Sequence, residues 1–254
     1  MYRIKGLSLA FGVALMAASA AAQDIAGLRV EHTIRNNKPQ TVSSPVREGD
    51  TALVFRVADG QCGRSPGGFN DCAKDRERSE IRDRGNVALD RPEWYAVSIL
   101  IPASTPPIDP ANTNLLQFQD ISGSGEVTLG LNLYKEGLVL IQSDPTNPQT
   151  DDMNPPKPLV DKVIVRAGQS RNRWLDIKVE AVCSTGANGK INVWVGDRLV
   201  HQHRGRNLVR NVAPTMKFGI YRTFVSRYQG SVPTQTVVFD HIRRGRSEAE
   251  VRLP

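Results

Sequence analysis

The chain has 254 residues, of which 39% are apolar and 23% are charged. This globular balance excludes a disordered chain, a collagen and a coiled coil. The formal net charge is +7, and arginine outnumbers lysine among the cations. Because guanidinium groups bind carboxylate and sulfate in a bidentate way, the arginine content favours an acidic partner. Charge alone is equally compatible with a solvated basic surface.

The first 22 residues predict a signal peptide. A positively charged start is followed by the apolar run Leu7–Met16, and Ala20 and Ala22 fit the small-residue cleavage pattern. The run is short for a membrane span, which needs about 20 residues, although an uncleaved anchor is the alternative. We predict that residues 23–254 form a periplasmic or secreted protein without membrane association. An acidic polymer outside the cell is then favoured as a partner over nucleic acid.

Short segments of alternating apolar and polar residues recur along the rest of the chain, with turn residues between them. They predict strands, in chain order, at 52–57, 94–101, 115–119, 127–133, 138–141, 163–165, 174–182, 191–195, 199–201, 217–222 and 236–242. We expect no helix longer than two turns and a frayed, charged tail at 247–254, with one helical turn in the tail as the alternative. Many short strands at this spacing are typical of one antiparallel β-sandwich or jelly roll.

Two segments interrupt this rhythm. The Gly-rich segment 60–76 contains Cys62 and Cys72, and we predict a disulfide between them because export permits one. The segment 143–159 contains many of the prolines. A loop of that length inside a compact domain is either functional or disordered. We expect it to form a lid over a binding groove.

Two predicted strands carry polar residues on one face. Side chains two apart on a strand share a face, so Arg78, Glu80 and Arg82 are expected to line one surface. Gln117 and Gln119 are expected to do the same on a second strand. A ladder of surface ion pairs is the alternative interpretation of the first pattern.

A third strand places Lys217, Gly219 and Tyr221 on one face, with Phe218 directed at the core. We expect Gly219 to leave open space in which a ligand approaches the backbone closely. Packing is the alternative role for a tyrosine on a strand.

Together and in this order, the three segments resemble the heparin lyase I-type polysaccharide lyases and the related jelly-roll alginate lyases. Those families carry R-[ST]-E-[LI]-R, Q-[IVW]-H and F-K-x-G-x-Y strands. This chain has R-S-E-I-R at 78–82, Q-F-Q at 117–119 and M-K-F-G-I-Y-R at 216–222. The resemblance implies a concanavalin A-like jelly-roll sandwich. It also implies a lyase that cleaves a uronate-containing polysaccharide by β-elimination.

The resemblance also implies catalytic roles. Tyr221 would take the proton from carbon 5 of the uronate and return it to the leaving oxygen. Arg78 and Gln117, with help from Gln119, would neutralise the uronate carboxylate. Lys217 and Arg78 would lower the pKa of the tyrosine. The chain departs from the family at Gln119, where the motif has a histidine, because glutamine cannot exchange a proton near neutral pH.

We expect Lys217, Arg82 and Arg222 to bind substrate along the groove and Glu80 to orient the arginines. The scheme requires no cofactor, and the resemblance leaves a structural calcium ion open. We expect a monomer. Two alternative functions remain: a non-catalytic module that binds acidic glycans, and a glycoside hydrolase, which would need a pair of carboxylates. Heparin, heparan sulfate, alginate and glucuronan all fit as polymers, and the arginine content leans slightly towards a sulfated or otherwise dense polyanion.

Overall fold

Alternation with a period of two gives most strands one apolar face, and the computed structural model packs these faces between two sheets. It describes residues 27–34, 36–122, 125–150 and 155–254. The signal peptide predicted at 1–22 lies outside them. None of the helices in the described ranges has the length and apolar character of a membrane span.

The described residues form fourteen strands. These are β1 (Val30–His32), β2 (Gln40–Val42), β3 (Ala52–Val57), β4 (Arg76–Asn86), β5 (Pro92–Leu100), β6 (Asn112–Gln119), β7 (Val127–Tyr134), β8 (Gly137–Gln142), β9 (Val160–Arg166), β10 (Trp174–Val182), β11 (Lys190–Val195), β12 (Arg198–Arg204), β13 (Thr215–Thr223) and β14 (Gln235–Gly245). The helices in the same ranges are short 3₁₀ turns at Cys72–Lys74, Ala167–Gln169, Val225–Arg227 and Glu248–Val251.

Two seven-stranded antiparallel sheets form the sandwich. The first, which we call the groove sheet, has the strand order β1-β4-β13-β6-β7-β8-β9. The second, the back sheet, has the order β12-β11-β10-β5-β14-β3-β2. The predicted jelly-roll sandwich is confirmed. The sequence predicted all the longer strands but not β1 and β2, which are too short to show a period.

Three aromatic rings join the sheets at the centre of the core. Phe55 of β3 meets Phe218 of β13 and Phe239 of β14 edge to face, with ring centroids 5.9 and 5.3 Å apart. All three side chains are buried, so β13 is anchored by its inner face. Lys217 and Tyr221 therefore lie on its outer face.

Gly219 does not leave room for a ligand. Its φ is +132°, and a Cβ atom there would lie 2.4 Å from the carbonyl oxygen of Ser79 and 2.7 Å from the ring of Phe55. The core and the neighbouring strand fill the space, so the expected open position is a site of close backbone packing.

The C-terminal tail contains the single helical turn that was the alternative, and it is not frayed. Val251 is fully buried in the last 3₁₀ turn, which packs on β14 and β5. One apolar side chain among charged neighbours carries no period, and for this reason the sequence suggested a frayed end.

Gly219→Ala should destabilise the protein by about 1–3 kcal/mol, because alanine rarely adopts this φ and its methyl group would collide with Ser79 and Phe55. Denaturant unfolding measures the change. Gly168→Ala is the control, since a Cβ there meets nothing within 4 Å. Equal stability of the two variants would show that the backbone at Gly219 is not constrained.

Candidate active site

A groove of about 770 Å³ runs over the outer face of the groove sheet. Strands β6, β7 and β13 supply most of its floor. Residues 143, 144, 149, 150 and 155–158 of the proline-rich loop also line it, and the lid role of this loop stays a prediction. Three of the predicted site residues line it: Gln117, Gln119 and Tyr221.

A bulge in β6 aligns the polar side chains of the floor. The pairing of β6 with β7 shifts between Asn114 and Leu116, and both Leu115 and Leu116 are buried in the core. Asn114 and Gln117 therefore both line the groove, although they are an odd number of residues apart.

Tyr221 lies directly over a buried arginine. The guanidinium carbon of Arg78 is 4.1 Å from the centroid of the tyrosine ring, and the two residues are paired across β4 and β13. Tyr221 lines the groove. Its hydroxyl has no hydrogen-bond partner within the described ranges.

Arg78 is held from two sides. Its Nε donates to Asp71 Oδ2 at 2.8 Å, its Nη2 donates to Asp71 Oδ1, and its Nη1 donates to Glu80 Oε2 at 3.3 Å. Asp71 directly precedes Cys72, which forms the predicted disulfide with Cys62. Arg78 is not among the groove-lining residues, so the structure places it behind Tyr221 rather than against a substrate carboxylate.

A second set of contacts runs along the floor. Gln117 Nε2 donates to Glu80 Oε1 at 2.6 Å. Lys217 Nζ donates to Gln119 Oε1, and Gln119 Nε2 donates to the carbonyl oxygen of Gly125 at 2.7 Å. Glu80 thus orients Arg78 and Gln117, while Lys217 orients Gln119, the glutamine at the position where the resemblance implies a histidine.

Burial has the largest effect on the pKa of Tyr221. It raises the pKa of Tyr221 above its usual 10, and the positive charges of Arg78 and Arg76 offset only part of this effect. The expected lowering of this pKa is therefore wrong in direction. Burial also lowers the pKa of Lys217, which contacts Gln119 and is buried rather than exposed to the groove.

Two predicted substrate-binding arginines lie elsewhere. Arg222 is fully buried on the opposite face of β13, where it pairs with Glu77 and donates to the carbonyl oxygen of Pro233 at 2.9 Å. Arg82 pairs with Glu31 of β1 instead of contacting Glu80. Neither arginine lines the groove.

Sequence reasoning missed other groove residues. Arg76 lines the groove and lies two residues before Arg78, on the strand face that Arg78 and Glu80 share. The period-two pattern could therefore have identified it. Asn112, Asn114, Asn132 and Tyr134 also line it, and only the i, i+2 spacing within each pair hinted at a shared face. In the described part of the chain, no three His, Cys, Asp or Glu side chains come together as a metal site.

Residues 20–243 match the family model described as polysaccharide lyase. The chain belongs to the polysaccharide lyase family. This confirms the coarser resemblance and makes the protein a polysaccharide lyase, while the resemblance to heparin lyase I itself stays a prediction. No curated protein matches the lyase significantly.

Solved structures share the fold of the lyase at low sequence identity. An endo-β-1,4-glucuronan lyase from the fungus Trichoderma reesei is 16% identical, with a TM-score of 0.63 over 89% of this chain and 93% of its own. The alginate lyase AlgAT5 of polysaccharide lyase family 7 is 16% identical, with a TM-score of 0.55 over 89% and 98%. A glycoside hydrolase family 131 catalytic domain from Coprinopsis cinerea is 10% identical, with a TM-score of 0.53 over 85% and 82%.

Arg222→Gln should lower the free energy of unfolding by about 3–5 kcal/mol, because it leaves Glu77 buried without its cation. The KM of the remaining folded lyase should not change. Denaturant unfolding and steady-state kinetics measure the two effects, with the exposed Arg173→Gln as control. A raised KM at unchanged stability would instead place Arg222 in substrate binding.

Proposed function

We propose that this lyase cleaves a uronate-containing polysaccharide by β-elimination, with Tyr221 as the proton-transfer residue. The arrangement of Tyr221 carries the proposal. It lines the groove with a hydroxyl that has no partner in the described ranges, and its ring is stacked on the Arg78 guanidinium. A phenolate formed there is stabilised by a positive charge that the surrounding carboxylates hold in place.

The reaction balances without an added reactant. The Tyr221 phenolate takes the proton from carbon 5, and the C–H electron pair forms the double bond between carbons 4 and 5. The bond from carbon 4 to the glycosidic oxygen breaks, and the proton passes from Tyr221 to that oxygen. The tyrosine returns to the phenolate, and one chain end carries an unsaturated uronate.

The negative charge that develops on the uronate needs positive groups or hydrogen-bond donors close by. Gln117 and Gln119 line the groove, and each donates one amide hydrogen to a group of the protein. The second amide hydrogen of each remains available to the substrate. Arg76 lines the groove on the side of Tyr221 and supplies the positive charge. Arg78 acts through the tyrosine, which revises the role that the resemblance implied for it.

Gln119 takes no part in proton transfer under this scheme. Its amide is fixed between Lys217 and Gly125, so it can orient a substrate but cannot act as an acid or a base. Tyr221 therefore carries the proton in both halves of the reaction.

We further propose that the lyase acts in the periplasm or outside the cell. The sequence pattern of the first 22 residues supports this location. The Cys62–Cys72 disulfide supports it too, since such bonds persist in oxidising compartments.

Tyr221→Phe should reduce elimination about 10²–10⁴-fold while polymer binding is retained. Ultraviolet absorbance of the conjugated double bond measures turnover, and calorimetry measures binding. Tyr228→Phe is a matched control, because Tyr228 packs on Ile108 and Val232 away from the groove. If the unmodified protein binds polyuronates without producing any absorbance, it is a binding module; if Tyr221→Phe keeps full activity, another group transfers the proton.

The kcat/KM of the lyase should rise with pH from neutral into the alkaline range. The phenol must lose its proton to act as a base, and burial holds the pKa of Tyr221 above 10. Arg76→Gln removes a charge that favours the phenolate, so it should move the rising limb to higher pH. A profile that falls between neutral and alkaline pH would contradict a tyrosine base.

A further inference from the structure

Five neutral side chains beside Tyr221 form one hydrogen-bonded chain, which we call the amide chain: Asn112, Asn114, Asn132, Tyr134 and Thr223. Asn114 Nδ2 donates to Asn132 Oδ1 at 2.9 Å, and Asn132 Nδ2 donates to the Tyr134 hydroxyl at 3.1 Å. That hydroxyl donates to Asn112 Oδ1 at 2.9 Å, and Asn112 Nδ2 donates to Thr223 Oγ1 at 3.1 Å. All five side chains line the groove.

The chain has a direction, and the direction determines what remains for a ligand. Each member donates to the next, so the orientation of each amide is coupled to that of its neighbour. Asn114 Oδ1, at the start of the chain, has no partner in the described ranges. Asn114 is paired with Tyr221 across β6 and β13, so an unused acceptor lies next to the proton-transfer residue.

The amide chain itself carries no charged side chain. Among the described residues, the cations that line the groove are Lys74 in a 3₁₀ turn, Arg76 at the start of β4 and Lys157 in the proline-rich loop. Asp144 and Asp161 also line the groove, and their negative charges offset part of the positive charge of these cations. Sulfate is bound in proteins by clustered or bidentate cations, and the amide chain offers none.

We propose that the amide chain is the subsite that selects an unsulfated polyuronate, with a sugar hydroxyl donating its hydrogen to Asn114 Oδ1. This inference rests on the proposed function and names its substrate class. A sulfate ester at that hydroxyl removes the donor and sets anionic oxygens against the amide oxygen. Discrimination therefore comes from a repulsive contact as well as from the lost hydrogen bond.

The test compares one polymer with its own sulfated form. Polyglucuronate, polymannuronate and polyguluronate are assayed by ultraviolet absorbance, and the fastest substrate is then chemically O-sulfated at its ring hydroxyls. We expect kcat/KM to fall at least about tenfold on sulfation, the effect of a lost hydrogen bond to a fixed acceptor. Both polymers are also titrated into Tyr221→Phe, so that discrimination is measured as a ratio of Kd values without turnover.

Two variants locate the effect. Asn114→Ala removes the acceptor and should bring the ratio between the two polymers close to one. Asn132→Ala removes the partner that orients Asn114 and should reduce the ratio without touching the tyrosine. Asn211→Ala, an exposed residue that does not line the groove, is the control and should keep the full ratio.

The outcomes separate the two proposals. Equal or faster cleavage of the sulfated polymer, or equal Kd values in Tyr221→Phe, would overturn the selection while leaving elimination established. Absence of product from every polymer would overturn the proposed function. The polymer that binds Tyr221→Phe most tightly is then sulfated in its place, and the Kd ratio would still decide whether the amide chain excludes sulfate. A ratio that stays unchanged in both asparagine variants would place the discrimination elsewhere and refute this subsite.

Discussion

The buried ion pair between Arg78 and Asp71 is the interaction on which the candidate site depends. Charges taken out of water are costly unless each is paired and hydrogen-bonded, and removing one partner leaves the other uncompensated. Arg78 meets this requirement with Asp71 from the disulfide loop and Glu80 from its own strand. Glu80 in turn holds Gln117 of β6. The loop, β4 and β6 are thereby fixed around the arginine on which Tyr221 is stacked.

The period-two pattern was enough to predict the architecture from the sequence. The strand predicted at 174–182 is β10 with the same bounds, because its apolar and charged residues alternate without interruption. The pattern could not show the bulge at Leu115 and Leu116, where two neighbouring side chains both enter the core. Nor could the pattern show that, at the positive φ of Gly219, a Cβ atom would point at the ring of Phe55. Both features depend on packing between strands.

The candidate site was predictable where its members share a strand face. Tyr221, Gln117 and Gln119 were found in this way, and strict use of the same rule would have excluded Arg222, which lies an odd number of residues from Tyr221. Asp71 could not be found, since its relation to Arg78 depends on the path of a loop. The amide chain likewise needs β6, β7 and β13 to be neighbours, and that order is a property of the folded sheet.

The arginine content of the chain slightly favoured a sulfated or otherwise dense polyanion, but the structure shows that many of these arginines are used within the protein. Several arginines are engaged in ion pairs away from the groove, among them Arg47 with Asp176, Arg222 with Glu77, and Arg244 with Asp83 and Glu93. These pairs connect strands and loops of the sandwich to one another. Cations spread along the groove would strengthen binding of the whole polymer equally in the ground state and the transition state, which does not raise kcat. In the proposed mechanism, by contrast, the uncharged amide chain lies beside Tyr221 and the Arg78 guanidinium lies behind its ring, so that electrostatic stabilisation would act on the one carboxylate whose charge develops during elimination.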